Sequence, residues 1–287
     1  MSAETSRVLT RRVTKSESSS WWGPSTLVPW VLIPLLVIAT FAPGLLAPGH
    51  PDAVNVNAVF RAPDYLNWFG TDQLGRDVYT RVIHGTAQSL TIGIGATLIA
   101  CLGGITLGTI SALAPRPVRR VLVRLFDILL AFPELLLALL VIAVLGRGPV
   151  NTLLAVGLAG IAGYARVVRA QVLQVSQAGY VEHAVTIGEA RFRIIFEHIV
   201  PNTIRPLLVL ATINVGSSVL AASALSFLGL GVIPPSAEWG ALLADGRNFL
   251  DIAPWVSLFP ASVVALSVIS ITLFGRRLHS ILNTGKG

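Results

Sequence analysis

Six long apolar runs, at 27–47, 86–114, 126–145, 150–165, 206–229 and 254–274, alternate with polar stretches rich in arginine, glycine and proline. A helix needs roughly 20 apolar residues to cross about 30 Å of hydrocarbon, and five of the runs reach that length. The fourth is shorter, but 164–174 holds helix-compatible residues that carry the same helix out into water. The pattern predicts an all-α polytopic membrane protein with six transmembrane helices. Residues 1–25 are polar, Ser-rich at 16–20 and without apolar period, which predicts a mobile tail. Trp21, Trp22 and Trp30 suit an interfacial belt at the start of the first span. That span is too long for the core of a cleaved signal and has no small-x-small cleavage site, so it is read as uncleaved. The pair Arg11 and Arg12 lies too far upstream of it for a twin-arginine signal. The organisation expected is a tail (1–25), a first helix with an outer loop (26–85), and a main transmembrane domain (86–287) with a long polar loop at 171–205.

Composition agrees with this pattern. The 287 residues are 53% hydrophobic and 12% charged, with mean hydropathy +0.73, well outside the range of soluble domains. The net charge of +7 would suit nucleic acid in a soluble chain, but in a membrane protein it marks loops held in the cytoplasm. With the N-terminus placed inside, 16 of the 21 basic residues fall on cytoplasmic segments; the other five are Arg61, Arg76, Arg81, Arg147 and Arg247. Both termini are therefore expected in the cytoplasm. The single cysteine, Cys101, lies inside an apolar run, which leaves no disulfide framework or cysteine metal cluster. Gly104 with Gly108, and Gly157, Gly160 and Gly163, are expected to let helices approach closely.

Catalytic patterns are missing. There is no GxxxxGK[ST] phosphate loop, no G-x-S-x-G elbow and no H-E-x-x-H pair, and the five histidines are scattered over loops. No catalytic, cofactor-binding or metal-binding residue is assigned. One ionisable residue, Glu134, lies well inside a span, about eight residues in and so roughly 12 Å from its start. Pro133 beside it frees a backbone carbonyl and can kink the helix. Two roles are open to Glu134: a protonated acid donating to that carbonyl, or a group facing a translocation path and attracting a cationic substrate. A single intramembrane acid argues against an ion-coupled secondary carrier, and the lack of clustered catalytic side chains against a membrane enzyme.

The most informative stretch is YVEHAVTIGEARFRIIFEHIVPN, residues 180–202. Ala184 is small enough for a short helix to press into a partner's groove. Gly188 permits a positive-φ turn, Pro201 suits the start of the following helix, and Glu182 sits early in the short helix, where a carboxylate is favoured. The segment resembles the EAA loop of ABC importer permeases, whose pattern is Glu-Ala-Ala, three residues, Gly, nine residues, then Ile-x-Leu-Pro. Glu182, Ala184, Gly188 and Pro201 match it; His183 replaces the middle Ala, His198 the Ile and Val200 the Leu. His198 also fits the HIxPN ending usual in the peptide-importer branch. With Arg193, these residues form the coupling set that the resemblance implies.

Three further stretches, 67–90, 124–148 and 226–243, are similar to the C-type second permease subunit of dipeptide, oligopeptide and nickel importers, and the resemblance spans about 67–283. It implies a MetI-like five-helix core with one added N-terminal helix, in a bacterial cell membrane. It also implies a homologous second permease, two ATP-binding subunits that carry ATP and magnesium, an extracytoplasmic substrate-binding protein and a peptide substrate. Nickel or another small ligand is the alternative cargo; a secondary carrier or channel is the alternative class. The GLG at 229–231 of this sequence is Gly229-Leu230-Gly231 and is expected to cap the fifth span, ahead of Pro234 and Pro235. The outer loops, with Arg76 beside Asp77 and Asp245 near Arg247, are expected to carry solvated local ion pairs and to meet the binding protein.

Overall fold

The computed structural model describes residues 24–284; most of the expected 1–25 tail lies outside them. It is built from helices, with no strand among the described residues beyond one isolated bridge, Thr71 to Asp77. In chain order these are α1 (Pro24–Phe41), α2 (Pro43–Leu46), α3 (Val78–Leu113), α4 (Arg116–Leu130), α5 (Glu134–Leu145), α6 (Pro149–Ser176), α7 (Gly179–Thr186) and α8 (Arg191–Arg193). A π-helical turn, Ile194–Ile199, leads into α9 (Val200–Phe227), followed by α10 (Trp239–Gly246) and α11 (Trp255–Thr284). Four of them, in α3, α6, α9 and α11, are long and apolar enough to cross a membrane, and the pair α4 and α5 makes a fifth span if taken together. The sixth expected span corresponds to α1, which contributes a shorter apolar helix, Pro29–Phe41.

The bundle is organised around α3 against α6. Its 36 residues make α3 roughly 54 Å long at about 1.5 Å per residue, so it projects beyond the hydrocarbon. Asp77 caps its start, accepting from the Thr80 N–H at 2.8 Å. Close packing on α6 requires glycine: a Cβ on Gly104 would lie 2.2 Å from the Tyr164 Cβ, and one on Gly108 would lie 2.7 Å from the Ala165 carbonyl oxygen. Gly157 plays the same part against Ile99, whereas Gly163 has nothing within 4 Å and serves no contact. The end of the fifth span is as expected: Gly229 has φ +78°, and the Leu230 N–H bonds the Leu225 carbonyl across it.

The third span departs from expectation. It is two helices bent by 97° rather than one kinked helix. Pro133 has no N–H to donate and its ring excludes the carbonyl four residues back, and it also biases Phe132 away from helical geometry. The chain leaves α4 at Ala131, and α5 restarts after Pro133. Alone, the 12 residues of α5 reach roughly 18 Å. Glu134 is consequently the first residue of α5, not a residue eight positions into a continuous helix, and its side chain is exposed.

Candidate functional site

The polar loop folds as an elbow between α6 and α9. After Ser176 the chain makes a short turn and re-enters a helix at Gly179, which places Glu182 in the first turn of α7 as expected. At the other end of α7, Gly188 takes φ +80°, with its N–H bonded to the Val185 carbonyl and the Glu189 N–H bonded to the Ala184 carbonyl, both at 3.1 Å. That pair of bonds is the left-handed helix stop that favours glycine. No other atom lies within 4 Å of a Cβ at this position, so glycine is demanded by backbone conformation alone.

Ala184 is a correction. It does not face outward to a partner: it is 4% exposed and packs with Val181 onto Val168 and Val172 of α6 and Ile194, Ile199 and Leu207 on the far side of the elbow. The residue is small because α7 lies close to its own chain. The outward ridge is made by Glu182, His183, Val185 and Ile187 on α7 and its stop, with Phe192 and Phe196 beyond the turn. Ile187 is 68% and Phe192 72% exposed, and the Phe192 and Phe196 rings lie tilted against each other with centroids 4.4 Å apart. Sequence spacing singled out Glu182 and His183 on this ridge but passed over its apolar members.

Polar contacts brace the elbow. His198 Nε2 lies 3.1 Å from a Glu189 carboxylate oxygen, closing the turn around Gly188. Arg193 approaches Glu189 at 3.9 Å and Glu197 at 3.7 Å. Glu189, Glu197 and His198 bring ligand atoms within 4.8 Å of one another, but the Arg193 cation already answers both carboxylates. Arg191 reaches back to the Leu113 carbonyl at the end of α3 (2.9 Å), tying the elbow to the bundle. Pro201 stands in the first turn of α9, where its missing N–H costs little, and the Val200 N–H before it bonds the Ile195 carbonyl five residues back. Through the π turn, α8 runs on into α9 without a break in the helical chain.

At the opposite end of the bundle the expected local ion pairs are replaced. Arg76 pairs with Asp72 (2.7 Å), not Asp77, and Arg81 joins the same carboxylate at 3.1 Å. Asp245 on α10 lies 3.6 Å from Arg81 and 3.9 Å from Arg76. Asp72 and Arg81 are each 1% exposed, so this is a cluster of three buried residues, with the partly exposed Asp245 at its edge, joining the outer loop, α3 and α10. Burial raises the Asp245 carboxyl above its ordinary range, against the pull of Arg81 and Arg76. Arg247 donates to the Phe227 carbonyl at 2.8 Å instead of pairing with Asp245. Glu238 is 1% exposed and caps α10, accepting from the Gly240 and Ala241 N–H groups at 2.9 Å. Burial raises its carboxyl, while those N–H donors draw it down. The four-residue spacing of Asp72 and Arg76 was the one sequence signal of this cluster.

Residues 104–286 match the sequence profile of the family described as the binding-protein-dependent transport system inner membrane component. Among curated relatives, the dipeptide transport system permease protein DppC of Alkalihalophilus pseudofirmus is 37% identical, over 88% of this chain and 83% of the relative. The di/tripeptide transport system permease protein DppC of Pseudomonas aeruginosa is 38% identical, over 88% and 86%. The glutathione transport system permease protein GsiD of Pectobacterium atrosepticum is 36% identical, over 87% and 83%. In fold, the chain is similar to the methionine ABC transporter MetNI in inward facing conformations, with a TM-score of 0.59 at 16% identity over 69% of this chain and 94% of that one.

Proposed function

The chain belongs to the family of binding-protein-dependent transport system inner membrane components, and on that premise we propose that it is a permease subunit of an ATP-driven importer of di- and oligopeptides. The observation that carries the reading is the elbow. A rigid ridge of Glu182, His183, Val185, Ile187 and Phe192 stands out from the bundle, while Val181 and Ala184 on its inner side seat it on α6 and the base of α9. A load on that ridge moves spans rather than a loose loop. In this reading two ATP-binding subunits, which bind and hydrolyse ATP with magnesium, press on the elbows of this chain and of a homologous second permease. The tilting helices then alternate access to a shared path. This chain does no bond chemistry and binds no cofactor.

The path is assigned to the face bearing the break between α4 and α5. Glu134 opens α5 at that break, with one carboxylate oxygen lying beside Gly160 of α6. There it offers a transient site for a peptide amine. The elbow end of the bundle, with Arg116, Arg119, Arg120, Arg124, Arg166, Arg169, Arg191 and Arg193, is taken as cytoplasmic. The opposite end, with the buried Asp72 cluster, would receive the binding protein.

Two measurements test this. Cells lacking the chain should lose uptake of labelled dipeptides and regain it on complementation; loss of nickel uptake with intact dipeptide uptake would refute the cargo. Tyr65→Cys should react with an impermeant thiol reagent in intact cells and Ile187→Cys only after permeabilisation. The reverse order would refute the orientation.

A further inference from the structure

An open cavity of about 520 Å³ beside the start of α4 has no part in the cycle described above. Arg116, Arg119 and Arg120 of α4 and Arg169 of α6 line it, together with Val123. No acid among the described residues forms an ion pair with any of these four arginines; the one acid of α4, Asp127, is held by Arg166 at 2.6 Å. Arg169 is fixed in place by donating to the Ser111 carbonyl. The cavity lies at the N-terminal end of α4, where no side chain caps the first turn. The helix dipole adds to the positive potential there. Four guanidiniums around one opening, without a carboxylate to answer them, form a site for a phosphate, which arginine binds through paired N–H donors.

The rest of α4 says where that phosphate comes from. Opposite the arginines, Val118, Val121, Leu125 and Ile128 form a stripe at helical spacing, and all four are exposed. The helix turns 97° from α5, away from the direction of a span. A helix with a basic face, an apolar face and this bend has the makeup of one lying along a membrane surface. We propose that the cavity holds the phosphate headgroup of an anionic phospholipid of the cytoplasmic leaflet, whose acyl chains run beside the apolar stripe of α4. The proposal rests on the orientation taken above. An acidic protein surface would meet the arginines but leave the apolar stripe uncovered, and a free phosphate would leave it unused.

The test is lipid retention by the full-length chain, expressed and purified together with its partner subunits in neutral detergent from a mixture of phosphatidylglycerol and phosphatidylcholine, with bound lipid quantified by mass spectrometry. Phosphatidylglycerol should be retained in preference, and retention should fall as salt rises. Arg116→Gln with Arg120→Gln, both at exposed positions, should lower the apparent affinity about twenty-five-fold, at about fivefold for each arginine. The corresponding lysine pair should keep part of the binding, since charge remains while the fork geometry is lost. Equal retention of the two lipids, or unchanged retention by a glutamine pair that is folded by thermal unfolding, overturns the proposal. Displacement by equimolar inorganic phosphate would reassign the site to a free anion. Loss of co-purifying ATP-binding subunits with lipid retention intact would reassign it to a protein partner. Orientation and cargo are read separately by the cysteine labelling and the uptake assay, so a negative lipid result leaves both standing.

Discussion

Replacing Gly188 tests the link between the elbow and transport in a way the structure makes quantitative. The residue stands at φ +80° and no atom outside its neighbours lies within 4 Å of a Cβ there. A side chain would therefore clash with nothing distant, and the whole cost is that of holding an L-residue in the left-handed region, about 1–2 kcal/mol. That range lowers occupancy of the turn about five- to thirtyfold relative to glycine. Asparagine tolerates this region, alanine less, and a β-branched residue least. The graded series Gly188→Asn, Gly188→Ala and Gly188→Val should follow that order. When the turn opens, the Glu189 N–H leaves the Ala184 carbonyl, and Glu189 leaves His198 at the same time. The ridge then loses its brace while the buried faces of α6 and α9 are untouched. The assay is peptide-stimulated ATP hydrolysis and uptake by the complete transporter in proteoliposomes, with chain abundance in the membrane as control. Abundance should be unchanged across the series while stimulated hydrolysis and uptake fall together, most for valine. Normal hydrolysis and uptake in the valine variant would refute the coupling role. Equal impairment by asparagine and valine would show that backbone conformation is not the cause.

Two substitutions at the outer end should separate sharply in stability. Asp72→Asn leaves Arg76 and Arg81 without their nearest anion in a buried site and should cost about 3–5 kcal/mol, whereas Asp245→Asn should cost far less, because its side chain is partly exposed and stands farther from both guanidiniums. Thermal unfolding in detergent reads both, and a larger loss for Asp245→Asn would contradict the assignment of Asp72 as the hub. Glu134→Gln keeps hydrogen-bonding capacity and removes the charge, so uptake of cationic peptides should fall more than that of acidic ones; equal uptake of both classes by variant and parent would remove Glu134 from the path.

Features that depend on near neighbours along the chain were legible in the amino-acid order. Apolar period and length identified the helices, and Gly188 and Gly229 marked helix stops at positive φ because φ is a property of single residues. The mismatched letters of the elbow motif, His183 and His198, were legible as departures; that one lies exposed and the other braces Glu189 was not. Direction and pairing were decided only by the tertiary structure. Ala184 is equally small whether it faces a partner or its own α6, and only the path of the chain through α8 and the π turn turned it inward. Pro133 announced a disturbance, but its size of 97° depends on where α4 can pack against α6. The adjacent pair Arg76 and Asp77 looked like partners, yet Asp77 is needed at the start of α3 and Asp245 approaches from more than 160 residues away. Such long-range pairs are set by which elements the bundle brings together, and neighbouring letters carry no record of that.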